Sequence, residues 1–370
     1  MSTSSKVHNL KSNIQHSTFL LLSLGIALAT TSLVPSPAAA NLARIISIDG
    51  EVQLQRDGWR SFQRALPGTA LYGRDFLQPA RGSRVLVICP YSRAQWSVPS
   101  GTISAVNNGC PNTPHRVRPQ FGVGDLTGGS NPMIPYVMTP RDGWVLNSRP
   151  TLRWNPVDEA ERYTVTLLTQ NEPLWQIETE LSSIPYPDDE PELVPGRRYS
   201  LRVETNTGVS SMNEGQPLSF SLLVGDEADA AQVEIDLINR LNVSEQVRTL
   251  ILVEEIYPKY QLTAAAIHDL EALVSSGVET AQVHRLLGDL YLKSGLRLLA
   301  ENHYGAAIDI ATQGDEVEER VLAQLGLGTL YRQVGEAEQA AQQLRYAQEG
   351  ASELEDERLM DSIRGALDEL

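Results

Sequence analysis

The chain of 370 residues carries 46 acidic and 30 basic residues, a formal net charge of −16. This length predicts more than one domain, because a domain commonly holds about 100–200 residues. The acidic excess disfavours a nucleic-acid-binding protein, since phosphate backbones are bound by clustered Lys and Arg. The charge is uneven: residues 41–130 carry a net charge of +5, and residues 226–370 carry −17. The basic segment could meet an anionic polymer, although scattered, solvated side chains would give the same count.

The first 40 residues have the layout of a secretory signal peptide. Lys6 and Lys11 precede an apolar run over residues 19–29, and Ala38 and Ala40 frame a small-residue cleavage site. The run is shorter than the ~20 apolar residues that a spanning helix needs, so we expect cleavage rather than an uncleaved anchor. The mature chain would begin at Asn41, contain no transmembrane segment and be exported to the periplasm or the extracellular space.

The two cysteines, Cys89 and Cys110, both lie in the first part of the expected mature chain. A cysteine pair in an exported protein predicts a disulfide bond. The alternative is two buried free thiols. The spacing does not fit a CxxC redox pair, and no nearby histidine cluster suggests a metal site.

Residues 41–120 predict an all-β domain. Apolar residues alternate around Asp49-Gly50, which is a hairpin signal, and residues 85–89 have a dense apolar strand pattern. Three stretches resemble motifs of the FecR-like extracytoplasmic domain: residues 50–52, residues 68–75 with Arg74 inserted before the acid, and residues 83–87. The name-giving members of that family relay a signal from an outer-membrane receptor to a cytoplasmic sigma factor, and they use a membrane span. We expect the resemblance to carry over the fold and not this signalling role.

A Gly- and Pro-rich stretch over residues 121–139 is expected to be a linker. Part of it is similar to a GxGxxG phosphate loop, but the third glycine is misplaced. No dense strand precedes it and no helix follows, so the linker interpretation is preferred.

Residues 140–225 predict a second all-β domain, with alternating apolar residues on several strands. The segment from Leu193 to Tyr199 resembles the tyrosine corner of the fibronectin type III and immunoglobulin-like sandwiches, in which the Tyr hydroxyl bonds to upstream backbone. Trp154, followed later by Tyr163, is also typical of those domains. The resemblance implies a β sandwich, a fold that often serves as a spacer.

Residues 226–370 predict an all-α domain, rich in Ala, Leu, Glu and Gln, with Pro258 as its single proline. Gly288 and Tyr291 recur as Gly328 and Tyr331, with small residues at matching offsets downstream. The pattern resembles the tetratricopeptide repeat, in which helical hairpins stack on one another. The period here is 40 residues, against about 34 in that family, and we expect the excess to lie in a longer turn over residues 312–317. About three hairpins would bury a continuous core, with a polar cap over residues 353–370.

The resemblance also implies a binding surface on the concave face, which the first helix of each hairpin lines. Carried over position by position, the partner-binding residues would be Gln282, Arg285, Asp289, Lys293, Leu325, Thr329, Arg332 and Gln333. The three basic residues stand in an acidic domain and could clamp a peptide carboxylate. The alternative is that they form salt bridges with nearby acids, each worth roughly 0–1 kcal/mol.

The sequence contains no recognisable catalytic constellation. The histidines after residue 40 lack metal-binding spacing, and there is no GxSxG elbow or Walker loop, so we expect no catalytic residue, metal or cofactor. The leading hypothesis is an exported, non-enzymatic modular binding or scaffold protein. Its helical repeats would dock a protein or peptide, and its FecR-like domain would contact an envelope component. The alternatives are an envelope signalling component related to FecR-type regulators and an unrecognised cell-wall glycan enzyme, which would need two carboxylates in a cleft.

Overall fold

Two four-stranded sheets form the first part of the chain, which we call the first β module (residues 43–116). The computed structural model describes residues 42–89, 92–116, 128–215 and 218–370; the expected signal peptide with its cleavage site and residues 121–127 of the expected linker lie outside these ranges. The strands are β1 (Ala43–Asp49), β2 (Val52–Gln55), β3 (Gln63–Arg64), β4 (Ala70–Leu71), β5 (Phe76–Pro79), β6 (Arg84–Ile88), β7 (Gln95–Ser97) and β8 (Ser104–Ala105). The sheet orders are β4-β1-β6-β7 and β3-β2-β5-β8.

The core of the first β module follows from the alternation along these short strands. Val52 and Leu54 on β2 are buried, and Gln53 between them is exposed. Val85 and Val87 on β6 are fully buried. Because successive side chains of a strand point to opposite faces, the apolar members of both strands meet in one core between the sheets.

A disulfide bond closes one end of this module. Cys89, directly after β6, is bonded to Cys110, directly after the short helix α1 (Val106–Gly109), and their Cα atoms lie 5.0 Å apart. The predicted pairing is confirmed. The cysteines are 21 residues apart, and a loop of that length contributes roughly 3 kcal/mol in the chain-entropy model.

A second pair of sheets follows, which we call the second β module (residues 137–222). Its strands are β9 (Val137–Thr139), β10 (Gly143–Val145), β11 (Leu152–Trp154), β12 (Tyr163–Thr169), β13 (Glu172–Thr179), β14 (Ser183–Ile184), β15 (Arg198–Thr205) and β16 (Phe220–Leu222). The orders are β14-β11-β9 and β10-β16-β15-β12-β13. Strand β9 lies inside the range that was expected to be a linker and pairs with β11.

Two tyrosine hydroxyls fix turns of the second β module. Tyr199 Oη accepts a hydrogen bond from the backbone N–H of Val194 at 2.7 Å, which is the upstream bond that the tyrosine-corner resemblance implies. Tyr163 Oη accepts from the N–H of Val157 at 2.8 Å, and its ring meets that of Trp154 edge-on. Because a buried Tyr hydroxyl needs a hydrogen-bond partner, these bonds allow both rings to lie in the core.

Helices make up the rest of the chain, which confirms the predicted β-then-α layout. They are α2 (Gly225–Asn239), α3 (Glu245–Ile251), α4 (Thr263–Ser275), α5 (Ala281–Lys293), α6 (Arg297–Gly314), α7 (Val317–Gln333), α8 (Ala337–Leu354) and α9 (Glu357–Asp368). Helix α3 continues into a π turn over Leu252–Ile256. No helix in the described ranges combines the length and apolar character that a bilayer crossing requires. We call residues 225–368 the helical region.

The excess residues of the 40-residue repeat lie in helix, so the expected longer turn over residues 312–317 is wrong. Helix α6 runs to Gly314, Asp315 alone adopts a left-handed conformation with φ 56°, and α7 begins at Val317. No proline interrupts this stretch. Thr312 lies within α6 and donates a hydrogen bond from its hydroxyl to the carbonyl of Ile308.

Glycines on α5 and α7 let large side chains of the neighbouring helices approach closely. A Cβ at Gly288 would lie 2.6 Å from the Tyr304 ring on α6, and a Cβ at Gly326 on α7 would lie 2.5 Å from the same ring. A Cβ at Gly328 would lie 2.9 Å from the Leu344 side chain. Tyr304 therefore fills a space between α5 and α7 that exists only because both helices carry glycine there.

Gly288→Ala should lower the free energy of unfolding by about 1–3 kcal/mol, because the added methyl group overlaps the Tyr304 ring. Gly305→Ala on α6 is the matched control. A Cβ at Gly305 would meet nothing within 4 Å, so helix propensity should raise stability by up to about 1 kcal/mol. Urea denaturation measures both values, and equal stability of the two variants would contradict the packing argument.

Candidate functional site

A pocket of about 600 Å³ lies between the first β module and the helical region. The first β module lines it with Leu54, Arg56, Trp59, Gln63, Arg64, Leu66, Pro67, Thr69, Ala70, Tyr72 and Arg116. The helical region lines it with Gln246, Glu254, Thr280, Gln282, Arg285, Asp289, Asp315, Glu316, Val317, Glu318, Glu319 and Leu322. Neither part of the chain encloses this space alone, so the pocket depends on their contact.

The helical wall of the pocket is built from the N-terminal ends of stacked helices. Thr280 caps α5 by accepting a hydrogen bond from the N–H of Val283. Gln282, Arg285 and Asp289 then follow at helical spacing, which places them on one face of α5. The first turn of α7 brings Glu318 and Glu319 to the same wall. The short connections before α5 and α7 thus align two sets of polar side chains toward the β module.

A buried network of guanidinium and carboxylate groups holds the two walls together. Arg56 donates to Asp75 of its own module at 2.7 Å and to Glu318 of α7 at 2.9 Å. Arg116 donates to the other oxygen of Glu318 at 2.7 Å and also pairs with Asp356. Burial alone would raise the pKa of Glu318, but the charges of Arg56 and Arg116 outweigh burial and hold that pKa below its usual value.

The loop between β2 and β3 docks against the last helices. The indole N–H of Trp59 donates to Asp356 at 2.8 Å, and its ring belongs to the same buried apolar cluster as Val321 and Leu325 of α7. Asp356 also caps α9 by accepting from the N–H of Leu359. The Asp356 carboxylate therefore caps the N-terminus of α9 and also accepts a hydrogen bond from a side chain of the β module.

Arg285 sits deep in the pocket between two acids. Its guanidinium lies 2.8 Å from Asp289 and 2.6 Å from Glu319. Burial raises the pKa of Asp289 to about 6, against the opposing charge of Arg285 and a hydrogen bond from Tyr304. Burial likewise raises the pKa of Glu319. The Arg285 guanidinium is therefore paired with acids of the protein itself, as in the salt-bridge alternative.

The structure brings only part of the expected partner-binding set to this pocket. Gln282, Arg285 and Asp289 line it. The other five lie elsewhere. Leu325 is buried in the apolar cluster that contains Trp59, and Thr329 donates its hydroxyl hydrogen to the Leu325 carbonyl. Arg332 pairs with Glu369, and Lys293 and Gln333 are exposed.

Sequence reasoning did not find the β-module half of the site. Arg56, Trp59, Tyr72 and Arg116 carry no motif that marks them as ligand-facing. The opposite net charges of residues 41–130 and 226–370 were the available signal. That signal indicated that the segments could attract each other but not which residues would meet.

A histidine pair lies on the α5–α6 hairpin, apart from the pocket lining. The Nδ1 atoms of His284 and His303 are 3.1 Å apart, and the Tyr291 ring stacks on His303. Burial first, and the neighbouring His284 second, lower the pKa of His303 to about 4; Glu271 opposes this shift. Burial also lowers the pKa of His284, against Glu279. Among the described residues, no three His, Cys, Asp or Glu side chains assemble as a metal site would require.

The sequence matches no family model and no curated protein.

Glu318→Gln should lower the free energy of unfolding by about 3–5 kcal/mol, because it leaves two buried guanidinium groups without their shared carboxylate. Glu353→Gln is the matched control. Glu353 is half-exposed and pairs with Arg320 at the surface, so its replacement should change stability by less than about 1 kcal/mol. Thermal and urea denaturation measure both variants. A loss below about 1 kcal/mol for Glu318→Gln would contradict the role of this network.

Stability should fall as pH drops from about 6.5 toward 4, because the folded protein keeps His303 neutral while the unfolded chain takes up a proton. The stabilising contribution of neutral His303 is fully present above the pKa that this residue has in the unfolded chain. It is lost as pH falls through the pKa that His303 has in the folded protein. Between pH 7 and pH 5 the loss from His303 should be roughly 2 kcal/mol. The pKa of Asp289 is raised, so its protonation changes stability in the opposite direction over a nearby pH range. The contribution of His303 is therefore obtained by comparing variants.

His303→Gln should lose less stability over that pH range than the unmodified protein. His268→Gln, a change at an exposed histidine, should keep the original pH profile. Urea denaturation at several pH values gives the three curves. A His303→Gln profile parallel to that of the unmodified protein would show that the pair does not titrate as described.

Proposed function

We propose that this is an exported, non-enzymatic binding protein that holds a protein or peptide segment in the pocket between its first β module and its helical region. The observation that carries the proposal is the composite pocket of about 600 Å³, a size typical of ligand sites. It lies on the wall where the tetratricopeptide resemblance implies a binding face. Gln282, Arg285 and Asp289 belong to both.

Export is supported by the layout of the first 40 residues and by the Cys89–Cys110 disulfide, since such bonds persist in oxidising compartments. The second β module would act as a spacer.

Docking against the helical region reduces the number of basic residues that the FecR-like domain could offer to the proposed envelope component. Arg44, Arg56 and Arg116 are committed to the helical region. The exposed Arg81 and Arg84 lie elsewhere on this module and remain available to an anionic envelope component.

A cell-wall glycan enzyme is the second candidate, because the pocket contains a carboxyl group with a pKa raised to about 6, Asp289, as a glycosidase acid would need. However, Asp289 is bound by Arg285 and Tyr304. The protonated form of Asp289, which a general acid needs, would leave the buried Arg285 guanidinium less well compensated. For this reason the binding function is preferred.

Gln246→Trp should strongly weaken capture of the partner, because an indole at this pocket-lining position would fill the space that the ligand needs. Gln333→Trp is the matched control, since Gln333 is exposed on α7 and lies outside the pocket lining. The full-length protein and both variants are immobilised and incubated with a bacterial envelope extract, and captured proteins are quantified by mass spectrometry.

We expect a protein retained by the unmodified chain and by Gln333→Trp but reduced at least about tenfold, ~1.4 kcal/mol, with Gln246→Trp. Unchanged melting temperatures serve as the folding control. Equal capture by all three proteins, or no capture, would contradict the proposed site.

A further inference from the structure

We infer that the pocket takes an uncharged peptide segment with small aliphatic side chains, an inference that rests on the proposed binding function and specifies its ligand. Three observations lead to it: the buried charges of the pocket are already paired, three glutamine amides stand among its neutral polar groups, and its available apolar surface is aliphatic.

The charges at the base of the pocket compensate one another. Arg56 and Arg116 share Glu318, and Arg285 is held between Asp289 and Glu319. A charged ligand group could gain a partner only by separating one of these buried pairs, which leaves an ion uncompensated in a low-dielectric environment. The base of the pocket therefore disfavours both acidic and basic ligand groups.

The charges at the rim of the pocket are also balanced. Arg64 is exposed and forms no ion pair with another described residue, but it lies close enough to Glu316 to lower that carboxyl's pKa against the larger effect of burial. Asp315 is exposed on the same wall. The rim thus presents charges of both signs and favours no single ligand charge.

Three glutamines supply neutral polar contacts around the opening. Gln63 comes from β3, Gln246 from α3 and Gln282 from α5. The Gln246 side chain makes no hydrogen bond to another described residue. Gln63 donates to the Ser61 hydroxyl and Gln282 donates to Glu254, each at 3.3 Å. Each amide can donate and accept, as the N–H and C=O of a peptide backbone require.

The apolar lining favours a peptide over a saccharide. Sugar rings bind through aromatic faces, but guanidinium groups already lie over the aromatic rings here. Arg56 stands 5.3 Å from the Tyr72 ring centre and 5.9 Å from that of Trp59, and Arg116 stands 5.9 Å from Trp59. The remaining apolar lining is aliphatic: Leu54, Leu66, Pro67, Val317 and Leu322. Aliphatic surface matches side chains such as those of Ala, Val and Leu.

The test uses a random library of hexapeptides with blocked ends, incubated with the immobilised full-length protein. Gln246→Trp removes pocket binding, and Gln333→Trp is the control that leaves the pocket open. The peptides that depend on the pocket are those retained by the unmodified protein and by Gln333→Trp but not by Gln246→Trp. A trimer of N-acetylglucosamine is measured in parallel by calorimetry.

We expect the pocket-dependent peptides to be depleted at least tenfold in Asp, Glu, Lys and Arg at one or more central positions, and enriched in Ala, Val or Leu. Enrichment of a charged residue, or no depletion of charged residues, at these positions would overturn this inference while leaving the proposed peptide-binding function intact. No pocket-dependent peptide, with or without binding of the saccharide, would overturn both.

Discussion

The contact between a basic β module and an acidic helical region organises this molecule. Its apolar part is continuous with the helical core, since Ile46 and Ile88 of the first β module pack in the same cluster as Leu250 of α3. Burial of such surface supplies the favourable free energy, roughly 25 cal/mol per Å². The buried ion pairs around Glu318 act differently, because desolvation offsets most of their attraction. We assign to these ion pairs the role of aligning the two parts. The apolar contact makes docking favourable, and the paired charges permit one arrangement.

The π turn that follows α3 fits this account. Glu254 and Glu255 are neighbours in sequence, yet both approach Arg44, with Glu254 at 2.8 Å and Glu255 at 3.8 Å. Adjacent side chains of a regular α-helix point about 100° apart. The wider turn at Leu252–Ile256 lies where both carboxylates face the buried Arg44. Burial raises the pKa of Glu255 despite Arg44 and Arg93. A local irregularity thus occurs where the β module meets the helices, as is common for π turns at functional sites.

Local patterns predicted much of the fold, but the pocket could not be predicted. Strand alternation, the cysteine pair and the repeated glycines involve residues at short separations in the chain and can be recognised in the sequence. The Arg56–Glu318 contact joins residues 262 apart, and no spacing rule connects them. The basic residues of the helical region remained ambiguous for the same reason. The partners of Arg285 and Arg332 include Glu319 on α7 and Glu369 near the C-terminus, and their proximity depends on how the helices stack.

Under the proposed binding function, docking of the β module limits which ligands the helical face could recognise. An open concave groove exposes its charged side chains to solvent, where they can select a ligand by charge. Here Trp59 covers part of α7 and Arg56 neutralises Glu318, so the chain's own side chains occupy positions that a charged ligand would otherwise use. The remaining space is lined by paired charges and by glutamine amides that keep unused hydrogen-bonding capacity. A site of this kind discriminates by fit and by the hydrogen bonds it leaves unsatisfied with a wrong ligand. Because both walls must be in contact for that space to exist, the buried ion network and the proposed ligand selectivity depend on the same interface.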